Sequence, residues 1–152
     1  MTRGNARELA VHLIYAREFT GDEPEMVIAT RLEKEYYGML SVESPVYEDR
    51  PSKAQRAYID SVVMGVANRV DELNETISNL SVGWDISRIS RLARTIMQLA
   101  MFEIQYVDDV PTGVAIAEAV RIAKLYDGDE AGAFVNGILG TFARNLPSEV
   151  EV

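Results

Sequence analysis

Apolar residues in this chain recur three or four positions apart almost from end to end. No segment alternates with period two for long enough to propose a sheet. Leu9, Ala10, Leu13, Ile14 and Ala16 define an amphipathic first helix over residues 4–19. Gly21-Asp22-Glu23-Pro24 is a turn, and its proline suits the first turn of a second helix carrying Met26, Val27, Ile28, Leu32 and Tyr36. Residues 41–51, with Pro45 and Pro51 among acids and serines, read as a mobile acidic loop. Ser52-Lys53-Ala54-Gln55 is a capping box, since the Ser hydroxyl and the Gln amide can each satisfy an orphan N–H. It opens a third helix whose apolar set includes Tyr58, Ile59, Val62, Val63 and Val66.

After a break near Asn68-Arg69, the stripe Val70, Leu73, Ile77, Leu80 runs to Ser81-Val82-Gly83. Asp85 or Ser87 caps the next helix, which carries Ile89, Leu92, Ile96, Leu99, Ala100 and Phe102. Asp109-Val110-Pro111-Thr112 interrupts the chain, because a residue before proline disfavours the α region. A helix over 113–125, the turn Asp127-Gly128-Asp129 and a last helix to about Arg144 follow, with a frayed acidic end. The expectation is an all-α fold of about seven helices.

Composition narrows the chemistry. The chain has 152 residues, 47% of them hydrophobic, enough for one domain with a real core. Zero Cys and one His leave no disulfide framework, no thiol nucleophile and no Cys/His zinc site. No window approaches the roughly 18 uncharged apolar residues of a membrane span. The charged start runs straight into a helical pattern, unlike a signal peptide, so a cytoplasmic protein is expected. The net charge of −9 argues against general nucleic-acid affinity, since phosphate contacts need local positive potential. That charge is uneven: Arg3, Arg7 and Arg17 face Glu8 alone at the start, whereas residues 18–49 are strongly acidic. Any nucleic-acid site must be a small patch, with the amino-terminal segment favoured.

Phe134-Val135-Asn136-Gly137-Ile138-Leu139 holds a costly pair. Gly loses roughly 1 kcal/mol against Ala inside a helix, and Asn adds a polar group to an apolar run. Asn136 and Gly137 are therefore assigned to close packing of two helices, with the amide closing backbone hydrogen bonds. This segment follows Asp109-Val110-Pro111, then Val114-Ala115-Ile116-Ala117-Glu118-Ala119-Val120 and Ala123-Lys124. With Arg3…Ala6-Arg7-Glu8…Ala10-Val11…Tyr15 at the start, the pattern resembles the NusB family of bacterial transcription antitermination factors.

The resemblance spans nearly the whole chain and is densest over residues 84–142. It implies two packed helical bundles within one RNA-binding domain covering residues 1–152, with an amino-terminal lobe of about 1–80 and a carboxy-terminal lobe of about 81–146. It also implies a non-enzymatic adaptor without metal or cofactor. With the ribosomal protein NusE, such an adaptor holds boxA-type single-stranded RNA of nascent rRNA and supports the RNA polymerase antitermination complex.

Site residues follow on the same terms. Arg3 and Arg7 lie four apart on one face at the start of helix one and, with Asn5, stand where the family carries its arginine-rich RNA motif. Gly4 and Asn5 replace two cations of that motif. Two contacts imply a log–log salt slope of only about −1.4 with single-stranded RNA, from about −0.7 per phosphate. Tyr126 and Phe134 flank the last turn and suit base stacking, although the apolar period around Phe134 favours core packing. Gly132 and Ala133 stand where many family members carry basic or His residues, and Ala117 replaces a usual Asn. Tyr15 suits an interface anchor for NusE, against core packing. Arg88, Arg91 and Arg94 step along one helix; Arg94 is placed to take over a contact where Gln98 replaces a family Arg.

Glu103 and Glu118 lie in apolar stripes without a nucleophile–base pair or phosphate cradle. They read as partly buried carboxylates bonded to helix ends or Lys124. His12 reads as a boundary residue, and Trp84 as a plug between the lobes. Other classes stay open: a protein-interaction module of the same fold that has lost most RNA affinity, and a homodimer masking its RNA face. The NusB-like part of an rRNA methyltransferase is disfavoured, because no sheet or glycine-rich cofactor loop follows.

Overall fold

The computed structural model describes residues 1–40, 44–83 and 89–147. Among these it has eight α-helices and no strand: α1 (Arg3–Thr20), α2 (Pro24–Arg31), α3 (Lys34–Leu40), α4 (Lys53–Asn68), α5 (Val70–Leu80), α6 (Arg91–Tyr106), α7 (Thr112–Asp127) and α8 (Asp129–Asn145). A 3-10 turn at Pro45–Tyr47 precedes α4. The chain divides into two compact units, Met1–Val70 and Asp71–Val152.

In the first unit α1 packs on α4 and α2, and α2 also packs on α4. The helical period of α1 buries Ala6, Leu9, Ala10 and Leu13, while α4 buries Ile59, Val62, Val63 and Val66. Each such Leu, Val or Ile contributes roughly 1.5–3 kcal/mol. Gly21 ends α1 in the left-handed region at φ 70°, where its N–H reaches the Arg17 carbonyl. The capping box at Ser52 and Gln55 forms as expected, with both hydrogen bonds present.

The expected second helix is two helices, and this adds one to the expected seven. Leu32 leaves the helical region at φ −95°, ψ 4°, and two side chains satisfy the freed backbone. Arg50 Nη2 donates to the Leu32 carbonyl at 3.3 Å, and the Glu33 carboxylate accepts from the Tyr36 N–H at 2.9 Å.

The loop expected at 41–51 also needs correction. Residues 41–43 lie outside the described residues; of those following, Val46 and Tyr47 are buried while Glu48, Asp49 and Arg50 are exposed. The buried Tyr37 hydroxyl donates to the carbonyls of Asp49 at 2.6 Å and Val46 at 3.2 Å, tying this segment to α3. Burial pushes the Tyr37 phenol up to about 12, with Tyr47 and Asp49 acting in the same direction and Arg50 opposing them.

In the second unit α6, α7 and α8 pack against one another pairwise. Ile96, Met97, Leu99 and Met101 from α6, Ala115, Ala119, Ile122 and Ala123 from α7, and Val135, Ile138 and Leu139 from α8 are buried. Small residues dominate the buried side of α7, so its neighbours can approach closely. On α5, Leu73 and Ile77 are buried, and Asn74 accepts from Gln98 Nε2 of α6 at 2.6 Å. The α6 cap is Ser90, whose Oγ accepts from the Ala93 N–H at 2.9 Å; Asp85 and Ser87, expected in that role, lie outside the described residues, as do Trp84 and Arg88. The Ser90 hydroxyl also donates to the Asp127 carboxylate at the end of α7.

Asn136 and Gly137 overturn the close-packing expectation. Both are exposed on α8, and a Cβ built at Gly137 meets nothing within 4 Å. The close approach lies one turn earlier: a Cβ at Gly132 would stand 2.5 Å from Lys124 Cγ. The helical period alone placed the pair on the wrong face, because Phe134, Val135, Ile138 and Leu139 already fill the buried side.

Candidate nucleic-acid interface

The amino-terminal arginines are held by α4. Thr2 caps α1 by accepting from the Asn5 N–H at 3.0 Å, which fixes where the helix begins. One residue earlier, the Met1 carbonyl accepts from Gln55 Nε2, and the Met1 ammonium lies 3.9 Å from the Asp49 carboxylate. The guanidinium carbon of Arg3 stands 4.3 Å from the centroid of the Tyr58 ring, and that of Arg7 stands 6.0 Å from the same ring. Both fall within cation–π range, with Arg7 at its outer edge.

Arg3, Asn5 and Arg7 are therefore gathered at one place, but they differ in access. Arg3 and Asn5 are exposed, whereas Arg7 is only 3% exposed. Arg7 follows Ala6 and precedes Ala10 on the side of α1 that packs into the first unit, so its aliphatic stem is enclosed with them. The expected pair of surface cations becomes one surface cation, Arg3, above a buried one.

Tyr126 and Phe134 sit in the second unit. Tyr126 is 40% exposed near the end of α7, and Gly128 at φ 92° turns the chain two residues later. Phe134 is 7% exposed, the core position that its apolar period favoured. Tyr15 is half-buried, its ring edge-on to that of Phe19 at 4.9 Å between centroids. Arg94 is half-buried on α6 and Arg91 is exposed. Gln98 is buried against Asn74, so it does not share a surface stripe with Arg94.

Glu103, Glu118 and His12 are engaged within the fold. Glu103 is fully buried instead of partly buried, and Glu118 pairs with Arg121 one turn along α7, not with Lys124. His12 is a boundary residue, as expected, with Nδ1 2.8 Å from the Tyr47 hydroxyl. Burial holds its pKa below the usual 6.5; Glu8 opposes that shift and Arg31 adds to it. Among the described residues no group of three His, Cys, Asp or Glu is placed to hold a metal ion, and no helix is long and apolar enough to cross a membrane.

Two residues of this surface were legible only for other roles. Gln55 stood out as a capping residue and Tyr58 as core. Their hold on Met1 and Arg3 joins positions more than fifty apart in the sequence, which local periodicity does not report.

The helical fold of the described residues agrees with what known proteins show. The NusB family matches residues 4–144. The transcription antitermination protein NusB of Acetivibrio thermocellus is 41% identical over 140 residues, covering 92% of this chain and 87% of that protein. The NusB of Agathobacter rectalis is 36% identical over 143 residues, covering 94% and 100%. Among solved structures, T. maritima NusB superposes with a TM-score of 0.78 at 24% identity, covering 98% of this chain and 95% of that one. The structure of antitermination factors NusB and NusE in complex with dsRNA contains a chain with a TM-score of 0.73 at 19% identity, covering 95% and 97%. The chain belongs to the NusB family.

Proposed function

We propose that this protein is a non-enzymatic transcription antitermination factor that binds boxA-type single-stranded RNA of nascent rRNA together with NusE. Family membership over residues 4–144 carries this reading. The similar fold of the NusB chain solved with NusE and dsRNA supports an RNA partner and a NusE partner. Within the chain, Arg3 is the exposed cation of the RNA contact and Asn5 its exposed polar neighbour; Arg7 acts from beneath. Tyr126 is the stacking surface of the second unit, Phe134 supports the helix behind it, and Tyr15 and Arg94 are assigned to the protein partner.

Arg3 alone supplies little affinity, since one phosphate contact accounts for a salt slope of about −0.7. A protein partner adding its own contacts therefore makes the site selective. Action in the RNA polymerase antitermination complex and residence in the cytoplasm complete the reading; a homodimer is an alternative state in which RNA access is masked.

The test is fluorescence anisotropy of a labelled boxA-type RNA at two salt concentrations, with and without NusE. Binding that needs NusE and weakens in Arg3→Ala supports the proposal. NusE binding with no RNA affinity at either salt concentration overturns it in favour of a protein-interaction module.

A further inference from the structure

Arg3 is the first residue of α1, a position where a long side chain ordinarily samples many rotamers, yet it is fixed from two directions. Gln55 Nε2 holds the Met1 carbonyl just before it, and the Tyr58 ring lies under its guanidinium at 4.3 Å. Gln55 and Tyr58 are three apart on α4, so one turn of one helix makes both contacts. Tyr58 is itself buried, which fixes the ring against the unit that carries it.

We propose that Tyr58 is the positioning residue of the RNA contact: its ring presets the Arg3 guanidinium for a phosphate without touching RNA itself. The proposal rests on the reading of Arg3 as the RNA-binding cation. An attraction through the guanidinium face does not compete with the in-plane N–H donors that bind phosphate oxygens, so both can be made together. An arginine already fixed has fewer rotamers to lose on binding, and the gain appears as affinity without a new charge. Arg7, also buried, has its guanidinium carbon 6.0 Å from the same ring. A family motif reduced to one surface cation is thereby compensated by preorganisation.

The experiment measures boxA-type RNA binding, with NusE present, for wild type, Arg3→Ala, Tyr58→Leu, Tyr58→Phe and the double variant Arg3→Ala/Tyr58→Leu. Tyr58→Leu is expected to weaken binding about two- to fivefold while the salt slope stays that of wild type, because no charge is removed. Tyr58→Phe keeps the ring and stays within about twofold of wild type. In the Arg3→Ala background Tyr58→Leu has no further effect, and Arg3→Ala alone makes the salt slope shallower by about 0.7. An equal loss from Tyr58→Leu in both backgrounds reports general damage and overturns the inference, as does wild-type affinity in Tyr58→Leu. If Arg3→Ala binds like wild type, the reading of Arg3 fails and the inference falls with it; if wild type does not bind RNA at all, the functional proposal fails.

A second measurement needs neither RNA nor intact stability in every variant. NMR of the free protein is expected to show ring-current upfield shifts of the Arg3 δ protons, kept in Tyr58→Phe and absent in folded Tyr58→Leu. Random-coil shifts in wild type would overturn the placement of the ring.

Discussion

The Nδ1 atom of His12 on α1 lies 2.8 Å from the hydroxyl of Tyr47, which belongs to the 3-10 turn thirty-five residues later. The side chains join the helix carrying Arg3 to the segment before α4. Because burial lowers the folded pKa of His12 below 6.5, the unfolded chain takes up its proton first as pH falls. The contribution is fully present above the unfolded value and is lost as pH falls from 6.5 through the folded value. Unfolding midpoints followed from pH 7.5 to 5 should decline more steeply in wild type than in His12→Gln. Parallel curves would remove His12 from the pH response.

Tyr37 gives the opposite sign at the other end of the scale. Its folded pKa, raised to about 12 from 10.0, gives a contribution fully present below pH 10 and lost as pH rises toward 12. Tyr37→Phe should cost about 1–2 kcal/mol at neutral pH, because the Asp49 and Val46 carbonyls lose their donor while the ring volume is kept. Urea denaturation at pH 7 and pH 11 checks both: the difference between the two proteins should shrink at the higher pH.

Three glycines around the last turn should respond to alanine in three ways. Gly137→Ala should stabilise by about 1 kcal/mol, since the added Cβ meets open space in a helix interior. Gly132→Ala should gain less, because the Lys124 side chain must move aside. Gly128→Ala should destabilise, its φ of 92° being strained for any Cβ. Thermal unfolding of the three variants is sufficient, and a loss at Gly137 would contradict its exposed placement.

Arg3 and Arg7 should separate cleanly although they lie four apart. Arg3→Ala is expected to leave stability within about 0.5 kcal/mol of wild type and to make the RNA salt slope shallower by about 0.7. Arg7→Ala is expected to lose about 1–3 kcal/mol of stability, because it removes a buried side chain from the α1 core face. Equal behaviour of the two variants in both assays would refute the division of labour.

What could be read in advance follows physical locality. The limits of α1, the capping box at Ser52, the break at Asn68-Arg69 and the stop at Pro111 depend on residues within a turn or two of one another, and each lies where its neighbours direct. The division of 24–40 was hidden because Arg50, eighteen residues beyond Leu32, satisfies the freed carbonyl. The buried state of Arg7 and the exposure of Asn136 were hidden for a related reason. Periodicity reports that a face is apolar, but not which residues at its margin the neighbouring helices cover. Family resemblance supplied Arg3 as a candidate, whereas its partner Tyr58 required the packing of α1 on α4.

The hold of Gln55 on Met1 carries a practical lesson for anyone preparing this protein. Residues fused ahead of Met1 would emerge beside Asp49 and replace the ammonium that lies 3.9 Å from its carboxylate. A purification tag there would be attached two residues from Arg3, and a polyhistidine or acidic leader would change the local field in an RNA titration.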